Sequence, residues 1–259
     1  MILRILTCNL RTSREDDSGN DWVHRKNACE AILRSNEPSI MCFQELSLTK
    51  LQDLKTLFED FDHAGLADTP HGKSPVNAIF FQKDLLDVVT TGGFWLSENP
   101  HVAGSKSWGS IYPRVANWIR LQDNTVEHKE FRIINTHLDH DAEVTRTNQA
   151  KLVLEDACAY GDSYPQILTG DLNCDASSEV VRILEASGFI DTYETVHGTK
   201  YSGHTHHAFA GDAYATPIGK IDWIFARGAV EVAASQIIKD TWRGRFPSDH
   251  YFVSATLRV

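Results

Sequence analysis

Apolar runs of strand length recur along this 259-residue chain, and five of them meet a short cluster of amide, carboxylate or imidazole side chains. Asn9 follows Ile5-Leu6-Thr7-Cys8, and Gln44-Glu45 follow Ile40-Met41-Cys42-Phe43. Asn135-Thr136-His137 follow Phe131-Arg132-Ile133-Ile134, and Gly170-Asp171-Leu172-Asn173 follow Gln166-Ile167-Leu168-Thr169. Ser248-Asp249-His250 precede the last run. Strands this apolar are buried on both faces, so they present chemistry only at their ends. Five tips bearing Asn, Glu, Asp and His imply one shared site. Two carboxylates with amides and histidines suit Mg²⁺ and a phosphoester.

Between these runs the spacing turns helical. Strands are expected over 2–8, 39–43, 77–82, 86–94, 115–122, 129–137, 165–169, 221–226, 230–238 and 251–258. Helices are expected over 22–34, with Asn20 or Asp21 as cap, and after Ser47 or Thr49, where Leu48, Leu51, Leu54, Leu57 and Phe58 share a face. Further helices are expected over 142–160 and 178–187. The segment 197–219, rich in His, Gly and Ala, reads as a long functional loop. The two halves follow a similar order, with no linker between them. One domain over residues 1–259 is expected, of α/β (α+β) class: a four-layer α/β/β/α sandwich in which two mixed sheets face each other with helices outside.

The net charge of −10 disfavours a protein that grips long duplex DNA, and Lys and Arg do not cluster. It favours a small or short phosphoester. No run is long enough to span a membrane, and no secretory signal is evident. The five cysteines are odd in number and form no CxxC pair, which fits a reducing cytoplasm. A cytoplasmic monomer without membrane partners is expected.

Glu45 and Asn9 are candidate metal ligands, one charged and one neutral oxygen donor, with Asp249 a third. Asp171 can orient or deprotonate an attacking water. Asn173 can hold that water or a phosphate oxygen, and the pair can equally be an ordinary Asp-Asn turn. His250 can stabilise charge on phosphate or move a proton, and such a histidine needs a carboxylate to fix its tautomer. Asp222, an isolated acid in Ile221-Asp222-Trp223-Ile224, is the candidate. His137 is a second imidazole at a strand end. His204, His206 and His207 lack the Cys or Glu partners of a tetrahedral zinc site, so a substrate loop is the better reading. Trp108 can stack on a base or anchor its loop. Arg114 can clamp phosphate with its planar fork.

Taken together, Thr7-Cys8-Asn9, Gln44-Glu45, Asn135-Thr136-His137-Leu138, Gly170-Asp171-Leu172-Asn173, Ile221-Asp222-Trp223-Ile224 and Ser248-Asp249-His250 resemble the endonuclease/exonuclease/phosphatase superfamily, the deoxyribonuclease-I-like fold. The resemblance runs from Leu3 to Leu257. Finer features resemble its bacterial-type branch, distantly similar to deadenylases and nocturnin. These are Phe94-Trp95-Leu96-Ser97-Glu98-Asn99-Pro100, Gly104-Ser105-Lys106-Ser107-Trp108, Pro113-Arg114-Val115-Ala116-Asn117-Trp118, Arg146-Thr147-Asn148-Gln149-Ala150 and Thr205-His206-His207-Ala208-Phe209, with His207 as the matching histidine.

The resemblance implies pseudo-twofold halves, Mg²⁺ or Mn²⁺ near Glu45 and Asn9, Asp171 and Asn173 at the nucleophile, and an Asp222–His250 pair on the phosphate. Relatives commonly carry a Gly-Glu pair before the central strand; here Gly72-Lys73-Ser74-Pro75 stands instead, with no acid to orient His137. A Mg²⁺-dependent phosphoesterase is expected, acting on RNA, short oligonucleotides or nucleotides. Sugar or inositol phosphates are the alternative substrates. A non-catalytic binding protein on the same fold is the alternative of another class.

Overall fold

A computed structural model describes residues 1–12, 19–72, 76–125, 127–201 and 203–259. Lys73-Ser74-Pro75, where the sequence departs from the family pattern, lies outside the described residues. Two six-stranded mixed sheets form the centre. The first contains β1 (Ile2–Asn9), β2 (Ile40–Gln44), β3 (Phe61–Ala64), β4 (Ile79–Gln82), β11 (Glu231–Ile238) and β12 (Phe252–Arg258), in the order β11-β12-β1-β2-β4-β3. The second contains β5 (Leu86–Trp95), β6 (Val115–Asp123), β7 (Glu130–His137), β8 (Gln166–Asp171), β9 (Ile190–Asp191) and β10 (Asp222–Arg227), in the order β5-β6-β7-β8-β10-β9.

Each sheet has one parallel pair at its heart, β1 with β2 and β7 with β8, flanked by antiparallel neighbours. This is the repeated half that the sequence order suggests. Parallel neighbours point their C-terminal ends the same way, so each pair delivers its polar tips to one rim.

Alternation along each strand builds three apolar layers. Ile5, Ile40 and Cys42 face Ile119, Ile133 and Ile167 between the sheets. Leu6, Met41 and Phe43 point outward to Cys29, Ile32 and Leu33 of α1 (Trp22–Ser35) and Leu51 and Leu54 of α2 (Leu48–Leu57). Ile134, Leu168 and Trp223 meet Val153 and Leu154 of α3 (Glu143–Cys158) and Val181 and Leu184 of α4 (Glu179–Ala186). The result is the expected α/β/β/α sandwich. Ser47 caps α2 by accepting from the Lys50 N–H, whereas Asp21 begins α1 without a side-chain cap bond.

The short strands β3 and β9, and α5 (Thr192–His197), carry too little periodicity to be anticipated. No helix among the described residues is long and apolar enough to cross a membrane.

Candidate functional site

The parallel pairs end in residues whose backbone turns sharply. Arg11 (φ 56°), Glu45 (φ 57°) and Asn173 (φ 50°) all adopt the left-handed region, which costs a non-glycine residue energy and is retained where the surroundings enforce it. Gly170 is required for a different reason. A Cβ there would lie 2.0 Å from the Thr136 carbonyl oxygen, so only glycine lets β8 lie against β7 just before Asp171.

Asn9 joins the two sheets at the rim. Its Nδ2 donates to Glu45 Oε1 (3.0 Å) and to Asp171 Oδ2 (2.9 Å), while its Oδ1 accepts the Arg11 N–H (2.8 Å). Asn9 thus holds two carboxylates side by side, with its oxygen turned to the Arg11 backbone. The Thr12 N–H also donates to Glu45 Oε2. Asp171 is buried; its Oδ1 accepts the Asn173 N–H (2.9 Å), and His137 Nε2 lies 3.6 Å from its Oδ2. Asn173 Nδ2 donates to the Leu138 carbonyl (3.0 Å), which fixes its side chain beside the β7 exit. Register pairs Asp171 with both His137 and Asp222.

His250 is the second imidazole of the centre. Its Nδ1 lies 2.9 Å from Asp222 Oδ2, inside a pocket where both groups are buried. Thr205 holds this pair in place: its Oγ1 accepts the N–H groups of Ile221 and Asp222, and its carbonyl accepts the Tyr251 N–H. Asp249 accepts from Arg11 (2.8 Å) and lies 3.7 Å from His206 Nε2.

Burial and charge sort these groups. Burial disfavours a charge on Glu45, but His137, Asn9 and Thr12 outweigh it and bring the carboxyl down to about 2. Burial, with the adjacent Asp222 charge, raises Asp171 against the pull of His137. Burial and the Arg114 charge hold His137 at about 4, a neutral imidazole. Burial opposes charging of His250, yet Asp222, Asp249 and Asp171 lift it to about 10, so it is an imidazolium at neutral pH. Burial works against Asp249 too, and His206, His250 and Arg11 hold it well below the usual carboxylate range.

These states decide where a cation fits. Asp171, Asp222 and His250 place ligand atoms within 4.8 Å of one another, as do His206, Asp249 and His250. Both trios include His250, and Arg11 donates to the Asp249 carboxylate of the second. Glu45, ionised and beside Asp171, supplies the hard oxygen chemistry that Mg²⁺ or Mn²⁺ needs.

The cleft above these groups has a volume of about 780 Å³. Glu45, Asp171, Asn173, His137, Asp249, His250 and Arg114 line it. Arg114 lies 3.3 Å from His140 Nδ1, and the Tyr112 and His140 rings stack at 5.9 Å on the same wall. Two sequence candidates sit elsewhere. His207 is fully buried and stacks on Tyr251 (4.1 Å), while His206 faces the cleft in its place. His206 bridges His250 in antiparallel register, so its successor turns to the opposite face. Trp108 is half-buried outside the cleft lining, on a loop whose Trp108 carbonyl accepts from Thr145 of α3 (2.5 Å).

Gln44 and Asn135, both in the polar tips, are buried between the sheets and bond to each other (2.7 Å). Arg11 and Tyr112 reach the cleft unanticipated, and His206 brings the expected substrate loop to it. The bridge to His250 turns His206 toward the cleft, and it is invisible without the fold.

The model of a family described as endonuclease/exonuclease/phosphatase matches residues 6–250. No curated protein matches the sequence. Among solved structures, an endonuclease/exonuclease/phosphatase from Bacteroides vulgatus is 28% identical over 100% of this chain and 99% of its own, with a TM-score of 0.90. The mannosyl-6-phosphatase Bt3783 of Bacteroides thetaiotaomicron is 28% identical over 99% of this chain and 100% of its own, with a TM-score of 0.87. Danio rerio TDP2, in complex with a single-strand DNA product, is 18% identical over 100% of this chain and 99% of its own, with a TM-score of 0.76, a likeness of fold.

Proposed function

The chain belongs to the endonuclease/exonuclease/phosphatase family and is a hydrolase of phosphate esters, and from that premise we propose that it is a divalent-cation-dependent phosphoesterase of small phosphorylated metabolites. The observation that carries the reading is the convergence of Glu45, Asp171, Asn173, His137 and the Asp222–His250 pair on one cleft, from both sheets.

Asp171, buried and raised, accepts the proton of a water that attacks phosphorus. The water oxygen bonds to phosphorus as the ester oxygen leaves and takes up a proton from solvent, to which Asp171 later returns its own. Asn173 is placed to orient the water or a phosphate oxygen. His250, kept charged by Asp222, donates to a phosphate oxygen, and neutral His137 donates from its protonated ring nitrogen. Arg114 clamps the phosphate from the β6 side. Glu45, with Asp171 beside it, would hold Mg²⁺ or Mn²⁺, which when bound neutralises phosphate charge and assists the leaving oxygen.

Sugar phosphates lead the candidate substrates. The acidic chain disfavours a long polyanion, and the relative named as a mannosyl-6-phosphatase is nearer in sequence than the DNA-bound one. Nucleotides or short single strands are the second reading, favoured by the Tyr112–His140 ring pair, which offers a face for a base. Turnover of sugar-phosphate, nucleotide and oligonucleotide panels with Mg²⁺ or Mn²⁺ tests both. Asp171→Ala is expected to lose at least about a hundredfold in kcat, and EDTA to abolish turnover until metal is returned. Equal rates for wild type and Asp171→Ala would overturn the proposal.

A further inference from the structure

Two cations are buried beneath the cleft, on the side of the outer helices. Arg25 of α1 and Lys50 of α2 both have 0% relative exposure. Arg25 donates to the carbonyls of Asn20 (2.6 Å), Pro247 (2.6 Å) and Leu10 (3.2 Å). The Lys50 ammonium donates to the carbonyls of Arg11 and of Glu45 (3.3 Å). Burying an ammonium is costly unless its donors are satisfied, so its place here calls for a reason.

The carbonyls it holds supply one. Arg11 and Glu45 carry left-handed backbones, and their side chains aim at the reactive groups. Glu45 meets Asn9 and Thr12, and Arg11 meets Asp249. Left-handed turns at non-glycine residues persist only when something outside the turn holds them. One ammonium grips both turns at once, tying the exit of β1 to the exit of β2.

We propose that Lys50 is a positioning residue, which clamps the Arg11 and Glu45 turns and thereby aims the Glu45 carboxylate at the cation seat and Arg11 at Asp249. The proposal rests on the reading of Glu45 as metal ligand for its consequence, though not for its geometry.

The test uses the full chain with Lys50→Met and Lys50→Gln. Methionine fills the space without donating; glutamine keeps donors without charge. Hydrogen exchange in metal-free protein, resolved over peptides 9–12 and 44–46, reads the turns directly. Calorimetric titration with Mn²⁺ reads their consequence. Lys50→Met is expected to exchange faster in these two segments alone and to bind Mn²⁺ about 10–100-fold more weakly, the usual effect of losing a group that orients a ligand. Lys50→Gln is expected to give a smaller change in the same two segments, which decides the matter even where Lys50→Met does not fold.

Unchanged exchange there in the folded variants overturns the proposal, as does faster exchange spread evenly over the protein, the mark of a merely structural lysine. Equal losses in both variants overturn it too, by assigning the effect to charge. Absence of Mn²⁺ binding in wild type would instead refute the metal reading, and the exchange measurement would still decide the role of Lys50.

Discussion

Replacing Asn135 with alanine should unfasten the two sheets from each other. Asn135 lies on β7 of the second sheet and is 0% exposed. Its Nδ2 donates to the carbonyls of Phe43 in β2 (2.9 Å) and of Ala78 just before β4 (3.1 Å), and its Oδ1 accepts from Gln44 (2.7 Å) and Thr169 (3.3 Å). Hydrogen bonds of this kind contribute about 1 kcal/mol each, so four give about 4 kcal/mol. Some of that is retained. Ala78 O keeps the Phe43 N–H, and Gln44 Nε2 keeps Thr7 and Cys42. About 3 kcal/mol should be lost, and at about 2–4 °C per kcal/mol the melting temperature should fall by roughly 6–12 °C. Thermal unfolding followed by far-ultraviolet circular dichroism measures it. A urea series should show a lower midpoint with an unchanged slope. A cycle with Gln44→Ala should show coupling of about 1 kcal/mol or more between the two sites. A melting point within about 2 °C of wild type would refute the reasoning, because buried partners would then have been lost without cost.

Two further outcomes follow from buried charge. Asp222→Asn should move the alkaline limb of the pH–rate profile down from near 10 toward 6.5, since His250 loses the carboxylate that keeps it charged. The raised pKa means that this pair's stabilisation is full below 6.5 and is lost as pH rises through 10. The urea midpoint of the variant should therefore respond less to pH in that window, and an alkaline limb that stays in place would remove His250 from the reaction. Lys220→Met should strand Asp191, whose Oδ2 lies 2.7 Å from Lys220 Nζ with side chains 2% and 1% exposed. The cost should be about 3–5 kcal/mol, with much of it recovered in Lys220→Met/Asp191→Asn, and a urea midpoint unchanged in the single variant would contradict this.

Much of the architecture was legible because burial on two faces leaves a strong signature. Ile5-Leu6-Thr7-Cys8 and Gln166-Ile167-Leu168-Thr169 have few alternatives to central strands. The polar residues at their ends were legible for the same reason, since Glu45 and Asp171 interrupt apolar segments where nothing local calls for an acid. Role was harder to read than place. Gln44 and Asn135 lie in the same tips and serve inter-sheet cohesion, a use that depends on a partner 91 positions away. His206 and His207 are adjacent in sequence, and only the pairing of His206 with His250 decides which of them faces the cleft. Lys50 looks like any solvated lysine on an amphipathic helix until the strand exits close over it.

The opposite ends of the described chain lie side by side. The Met1 amino group donates to the Val259 carbonyl at 2.8 Å, a contact across 258 positions, and β1 runs the length of β12. During synthesis at about 5–20 residues per second, β1 must therefore wait roughly 13–50 seconds for its antiparallel neighbour. Until then one lengthwise margin of an apolar ribbon stays open to any passing polypeptide. Asn9 likewise emerges early and His250 just before β12, so a nascent chain cut short of His250 lacks part of its hydrolytic machinery along with its closing seam.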